Sequence, residues 1–435
     1  MFTKKTIRDI EVENKRVLIT VDFNVPVNDD GTVIDDYRIR QTIPTLTYLL
    51  GKNCSLVLIG HLGRPKSNDD PKTSFRHVAI RLSELLQKEV LFAEDCVGDK
   101  AKVVADHLQP GMVAVFENVR YHEGEEDNDP EFAKAIIDAS GAEVFVQDGF
   151  GTAHRKYASY DAITTFGIPA VAGLLLEKEV DTITSVMEAP ERPLMVVVGG
   201  AKISDKIEIL QKFIEIADYV TVVGALANTF LLAEGHSVGT SLAEPNDVPL
   251  AKEILAKAHA KAIAGRFTFF VPRDVVVAKD ISAEVETRIV DLSHNTWADI
   301  ESYPKRPEEK AFSVADDEKI LDIGPFSASH IAGAMKFAKT VIWNGTCGVT
   351  EVKGLAGAAD PFAHGTKILV EAMIGDAGQQ DHPFVVVGGG DTVSFVESQP
   401  GLREQLGHVS TGGGASLDLM AGKELPGVVV LEDNV

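Results

Sequence analysis

Short β-branched runs recur along the chain, each closed by a glycine or polar turn and followed by a helical pattern. This alternation restricts the fold more than any other feature. The runs include RVLITVDF (16–23), CSLVLIG (54–60), MVAVFENV (112–119), EVFVQDGF (143–150), LMVVVGG (194–200), YVTVVGA (219–225), FTFFVP (267–272), TVIWNG (340–345) and PFVVVGGG (383–390). Near-continuous apolar strands need cover on both faces. The stretches between them, such as 205–217 and 248–263, carry apolar residues at i, i+3 and i+4, the spacing of a helix with one buried face. Alternating strands and helices predict parallel, doubly wound sheets. The rhythm breaks near residue 170, where AVAGLLLEKEVDTITSVMEA predicts one long helix closed by Pro190 and Pro193. A helix between two sheet systems is a natural connector. The expected organisation is therefore a first domain over 1–170, a connecting helix over 171–189, a second domain over 190–400 and a C-terminal segment over 401–435. The polar stretch YPKRPEEKAFSVADDEK (303–319) is expected to be a surface excursion.

With 435 residues and a formal net charge of −23, the chain lacks the basic face that a nucleic-acid binder or an anionic-membrane binder needs. Neither partner is expected. A few convergent Arg and Lys residues can still form a positive pocket for a small anion inside an acidic envelope. Cys54, Cys96 and Cys347 are far apart and form no C-x-x-C pair, which argues against a disulfide framework and against a zinc site and suits a reducing cytoplasm. The N-terminal run MFTKKTIRDIEVENKRVLITVDF predicts no signal peptide, and no stretch reaches 18 apolar residues. The expectation is a cytoplasmic monomer.

In open parallel sheets, ligands bind beyond the carboxyl ends of the strands. In the first half those ends carry Asp22 and Asn24 with Arg38 following, then His61 and Arg64, then Arg120, then His154 and Arg155. The planar fork of arginine suits phosphate and carboxylate, so four arginines recurring at strand ends predict a polyanion site. The acidic run HEGEEDND after Arg120 reads as a solvated loop. In the second half the strand ends carry glycine: GGAKISDK (199–206), GALANTF (224–230), DIGPFS (322–327), WNGTCGVTE (343–351), GGGDTVSF (388–395) and STGGGAS (410–416). Glycine turns that open helices let backbone N–H groups approach phosphates. Lys202 and Lys206 flank the first turn, Gly389, Gly390, Asp391 and Thr392 form another, and Gly412, Gly413 and Gly414 a third. Asp391 is placed to meet Mg²⁺. G-x-x-x-x-G-K-[ST], G-x-G-x-x-G and H-E-x-x-H are missing from the sequence, so P-loop, standard dinucleotide and zincin readings are disfavoured.

Taken in order, VDFNVPV (21–27), HLGRPK (61–66), ENVR (117–120), DGFGTAHR (148–155), GGAKISDK (199–206), LDIGP (321–325), GGGDT (388–392) and HVSTGGGAS (408–416) resemble the motifs of the phosphoglycerate kinase family over nearly the whole chain. The resemblance implies two Rossmann-like doubly wound domains joined by a long helix, with Mg²⁺ as cofactor and ATP/ADP as co-substrate. It implies that Asp22, Asn24, Arg38, His61, Arg64, Arg120 and Arg155 bind 3-phosphoglycerate, with Arg38 near the transferring phosphoryl. It further implies that Lys202, Lys206, Gly389, Gly390, Asp391 and Thr392 meet the nucleotide phosphates and the metal, that Glu351 meets the ribose, and that 415–435 fold back onto the first domain. Four positions depart from the family pattern. Thr20 stands for an arginine, Ile320 for a glycine, and Thr346 and Thr350 for the proline and phenylalanine of the WNG loop. A catalytically inactive nucleotide-binding protein of the same fold is the alternative that the altered loop leaves open.

Overall fold

Runs such as SLVLI, LMVVV and TVIWN are buried along their whole length and pair in parallel, as continuous apolar strands must when helices cover both faces. A computed structural model describes residues 2–67, 70–200, 202–293, 312–355, 358–375 and 382–434. It divides into two units, Met1–Thr184 with Thr411–Val435, and Ser185–Ser410.

The first unit holds β1 (Arg16–Thr20), β2 (Ser55–Ile59), β3 (Val90–Ala93), β4 (Val113–Phe116), β5 (Val144–Gln147) and β6 (Ala170–Ala172). They form one parallel sheet in the order β3-β4-β2-β1-β5-β6. The chain winds from β1 outward through β2 to one edge and later adds β5 and β6 on the other side. The topological switch therefore lies between β1 and β5, where Thr20 is in register with Gln147. The last residues of the chain also belong to this unit. Lys4 Nζ donates to the carbonyls of Val429 and Leu431 at 2.8 and 3.0 Å, and the Gly427 amide donates to Ala153 O at 2.9 Å.

The second unit holds β7 (Leu194–Val198), β8 (Tyr219–Val222), β9 (Thr268–Phe270), β10 (Asp274–Ala278), β11 (Arg288–Asp291), β12 (Lys319–Ile323), β13 (Thr340–Asn344), β14 (Phe384–Val387) and β15 (His408–Val409). Six of them form a parallel sheet in the order β15-β14-β13-β7-β8-β9, with its switch between β13 and β7. The other three form an antiparallel sheet, β11-β10-β12, that the run-by-run reading did not foresee. Of the stretch 303–319, residues 303–311 lie outside the described residues; Val314 is buried and Lys319 opens β12.

The long helix expected from residue 170 begins later. Residues 170–172 are β6, and the helix runs Leu174–Glu188. Its start is fixed by Asp148 at the end of β5, whose Oδ1 accepts from the Leu175 and Leu176 amides at 3.0 and 3.3 Å. These are two of the orphan donors that every helix N-terminus exposes. A Cβ on Gly173 would fall 2.1 Å from that oxygen, so glycine is required beside it. Asp148 is fully buried and its Oδ2 has no hydrogen-bond partner. Burial pushes its carboxyl up to about 8, against the Thr45, Leu176 and Leu175 donors that favour the anion. Below an ordinary carboxyl pKa of about 4 both folded and unfolded states are protonated. Between that value and about 8 only the unfolded chain ionises, so stability falls as pH rises through the window. Asp148→Asn keeps the acceptor and removes the titration. The expected result is that the wild type loses roughly 2–4 kcal/mol more than the variant between pH 5 and 8. Equal slopes in urea unfolding midpoints over that range would refute this account.

Candidate active site

At the switch point of the first unit the loops after β1, β2, β4 and β5 surround a cavity of about 960 Å³. It brings together Asp22, Asn24, Arg38, His61, Arg64, Arg120 and Arg155, all seven residues expected there, and also takes in His154. Arg38 sits in the first turn of the helix Tyr37–Gly51 and pairs with Asp22, which is 5% exposed. That approach depends on Gly151, where a Cβ would fall 1.9 Å from Asp22 Oδ2. Asn24 Oδ1 accepts from the Gly63 amide at 2.8 Å, and Arg120 donates to Gly63 O at 3.0 Å.

The arginine loops are joined by a residue that the sequence reading passed over. Fully buried Asn118 donates to Leu62 O and Thr73 O, both at 2.8 Å, and accepts from the Arg120 amide at 3.0 Å. Its signal was the motif ENVR itself, read only for its arginine. His61 is buried. Burial takes its imidazole down to about 4, with Asp22 opposing the fall and Arg120 and Arg38 adding to it. It is therefore neutral near pH 7 and can offer an N–H to an anion, but no positive charge.

Two expectations are corrected here. The Gly412–Gly414 run, grouped by sequence with the glycine turns of the second domain, lines the arginine cavity of the first unit. Thr411 anchors it through its amide and hydroxyl, which donate to buried Glu179 at 2.7 and 2.8 Å. The helix that follows, Gly414–Met420, has only seven residues, so the run contributes backbone N–H groups more than a dipole. The acidic run after Arg120 is not wholly solvated either. Glu125 is 1% exposed and accepts from Ser159 Oγ at 2.6 Å and from the Ser159 amide at 3.0 Å. Burial raises its carboxyl to about 7, with Ser159 and Arg120 opposing. Thr20, which stands where the family has arginine, is buried and donates to Ser159 O at 2.7 Å.

In the second unit the loops after β7, β13 and β14 meet at the switch point. The Gly199 amide donates to Asn344 O at 2.6 Å. The loops pass so closely that a Cβ on Gly345 (φ 110°) would fall 2.4 Å from Gly199 Cα. Lys206 Nζ donates to Asn344 Oδ1. Asn344 Nδ2 is buried without a hydrogen-bond partner and lies 2.7 Å from where a Gly389 Cβ would be. Gly389 is the N-cap of the helix Gly390–Glu397, and Thr392 Oγ1 in its first turn accepts from the Gly345 amide at 2.7 Å. Lys206, Gly389, Gly390 and Thr392 are thus gathered around Asn344, a second residue that sequence reasoning missed inside a recognised run. Lys202, Glu351 and Asp391 are exposed and stand outside this hydrogen-bonded cluster. In the altered WNG loop, Thr346 Oγ1 donates to Gly348 O at 3.0 Å, tying the turn that a proline would fix, and Thr350 is buried.

These features define a two-unit parallel α/β protein with arginine-rich loops at the sheet edge of one unit and glycine-rich loops at that of the other. The family model for phosphoglycerate kinase matches residues 7–423. A phosphoglycerate kinase of Chloroflexus aurantiacus is 43% identical over 432 residues, 99% of each chain, and one of Moorella thermoacetica is 41% identical over 430 residues, again 99% of each. The structure of phosphoglycerate kinase from Coxiella burnetii superposes with a TM-score of 0.78 at 32% identity over 98% of both chains. That from Pyrococcus horikoshii gives 0.79 at 29% identity over 99% of this chain and 98% of the other. The chain belongs to the phosphoglycerate kinase family. Among the described residues no helix is long and apolar enough to cross a membrane.

Proposed function

We propose that the protein is a Mg²⁺-dependent phosphoglycerate kinase. It catalyses reversible phosphoryl transfer between ATP and the carboxylate of 3-phosphoglycerate, giving ADP and 1,3-bisphosphoglycerate. The observation that carries this reading is the cavity of the first unit, where Arg38, Arg64, Arg120 and Arg155 converge beside a neutral His61 within a chain of net charge −23. The first unit takes 3-phosphoglycerate and the second takes the nucleotide, and hinge closure completes the site and excludes water. His61, Arg64, Arg120 and Arg155 hold the substrate phosphate, while Asp22 and Asn24 meet the hydroxyl side. Lys202, Lys206 and the Gly389–Thr392 turn hold the nucleotide phosphates, and Glu351 holds the ribose.

The acceptor is a carboxylate with a reference pKa of about 4, so it is ionised near pH 7 and needs no general base. The barrier is the approach of one anion to another. Arg38 and Lys206 lower it by meeting charge on the moving phosphoryl group. The exposed carboxylate of Asp391, in the first turn of its helix, fits a hard cation that keeps most of its waters and takes phosphate oxygens; Mg²⁺ held there supplies charge neutralisation. A coupled assay with 3-phosphoglycerate, ATP and Mg²⁺ tests the assignment, and a folded sample without turnover overturns it.

Base choice is expected to be loose. Thr350 offers less apolar surface to a purine than phenylalanine does, while Lys206 and the Gly389–Thr392 turn are unaltered. ATP and GTP should differ in kcat/KM by about tenfold or less, roughly 1.4 kcal/mol. A strong ATP preference that Thr346→Pro/Thr350→Phe leaves unchanged would show that this loop does not set it.

A further inference from the structure

We propose that Asp95, Cys96 and His122 form a binding site for Zn²⁺ or a similar borderline-soft divalent ion, separate from the Mg²⁺ chemistry of phosphoryl transfer. Asp95 and Cys96 lie in the loop between β3 and the helix Gly98–His107, and His122 follows the short helical turn Val119–Tyr121 after β4. β3 and β4 are parallel neighbours whose last rung pairs Ala93 with Phe116, so both loops leave the same edge of the sheet. One ligand atom from each residue, a carboxylate oxygen, a thiol sulfur and an imidazole nitrogen, lies within 4.8 Å of the other two.

This is a built cluster. His122 Nε2 and Asp95 Oδ1 are 2.8 Å apart, and Asp95 Oδ1 also accepts from the Cys96 amide at 2.8 Å. The His122 ring is stacked on Phe132 with centroids 5.1 Å apart. Around zinc, bonds of about 2.0–2.3 Å place tetrahedral ligands roughly 3.5 Å apart. The three atoms thus need to close by about 1.3 Å at most, within side-chain reach. Cys96 is buried, while the Asp95 and His122 side chains are 35% and 32% exposed, so an ion can enter from the solvent side and keep a water as fourth ligand. The mixture of S, N and O donors favours Zn²⁺, Co²⁺ or Cu²⁺ over Mg²⁺, which prefers oxygen alone. Burial first, and then the carboxylates of Asp95, Glu125 and Glu117, hold the proton on the Cys96 thiol. The same negative field attracts a dication. On binding, the thiol proton leaves to solvent, a metal–sulfur bond forms, and His122 carries its remaining proton on Nδ1, so one proton is released per ion.

The test uses the full chain, stripped of metal and titrated with Co²⁺, followed by Zn²⁺ competition. The expected result is one Co²⁺ per chain with tetrahedral visible bands and a thiolate-to-cobalt charge-transfer band, displaced by Zn²⁺ and unaffected by excess Mg²⁺. Cys96→Ser should abolish the charge-transfer band and weaken binding about 100-fold, at or beyond the loss typical of changing a supporting residue. His122→Gln should weaken binding similarly. Cys54→Ser/Cys347→Ser should leave the spectrum intact, as should Asp391→Asn. A wild type with no charge-transfer band, or a band that survives Cys96→Ser, overturns the proposal. Near-ultraviolet circular dichroism of each metal-free variant separates loss of the site from loss of the fold.

Discussion

Arg38→Ala is expected to lower kcat by about 10³, roughly 4 kcal/mol of transition-state stabilisation, while the KM for 3-phosphoglycerate changes by less than about tenfold. The asymmetry follows from where the charge stands. Arg38 enters the cavity from the first turn of its helix and is held by Asp22, which is nearly buried. Removing the guanidinium deletes a positive charge and also leaves the Asp22 carboxylate uncompensated beside a polyanionic substrate. Both effects grow as the moving phosphoryl group arrives, so they fall on kcat. Arg120 differs. It is anchored to Gly63 O and held through Asn118 to the loop after β2, a ground-state binding position, so Arg120→Ala should act mainly on KM. Arg38→Lys keeps the charge but not the planar fork and should recover only part of the rate. Near-normal kcat in Arg38→Ala, with only KM raised, would remove Arg38 from the transfer step.

Most of the strands read from sequence are buried along all or nearly all of their length, because burial on both faces leaves few polar residues to interrupt the run; β9, exposed at Thr268 and half-buried at Phe269 and Phe270, was read from its aromatic run alone. β3 was harder. It is an edge strand whose first three residues are only half-buried, and VLFA alone does not separate strand from helix. β6 has three residues and was absorbed into the helix behind it. The antiparallel trio β10–β12 escaped because one of its pairings is broken at Val276/Val277 and part of the connection between β11 and β12 is polar. For the site, position after a strand was enough to find the arginines, since parallel strands deliver their C-terminal loops to one edge whatever their sequence separation. That logic failed for Gly412–Gly414. A strand end marks the sheet a residue leaves, and Ser410 is still bonded to β14, but the chain passes to the first unit at Thr411. Glu125 was illegible for another reason. Nothing in an acidic run distinguishes the one carboxylate that turns inward to Ser159.

Lys206→Ala is expected to cost as much as the loss of Arg38, about 10³ in kcat, with a smaller effect on the KM for ATP. Lys206 Nζ is fixed by Asn344 Oδ1 at the end of β13, and its stem lies over Gly200, where a Cβ would fall 2.6 Å from Lys206 Cε. Gly200 has φ 124°, a backbone conformation open to glycine alone at little cost. The lysine is thus positioned by its hydrogen bond to Asn344 Oδ1 and by the missing side chain beneath its stem. Lys206→Arg should not restore the rate, because the bulkier planar head must fit between Gly200 and Asn344, in the space of a single ammonium. Gly200→Ala provides the sharper test, since it leaves every charge in place. The added methyl must displace the lysine stem, so kcat should fall by about 10²-fold or more, the cost of a roughly 1 Å misplacement, while ADP affinity measured by titration changes little. If Gly200→Ala turns over normally in a folded protein, the position of Lys206 is not what the glycine protects. If Lys206→Ala loses nucleotide affinity and rate in equal measure, the lysine binds the ground state and does not follow the transferred phosphoryl group.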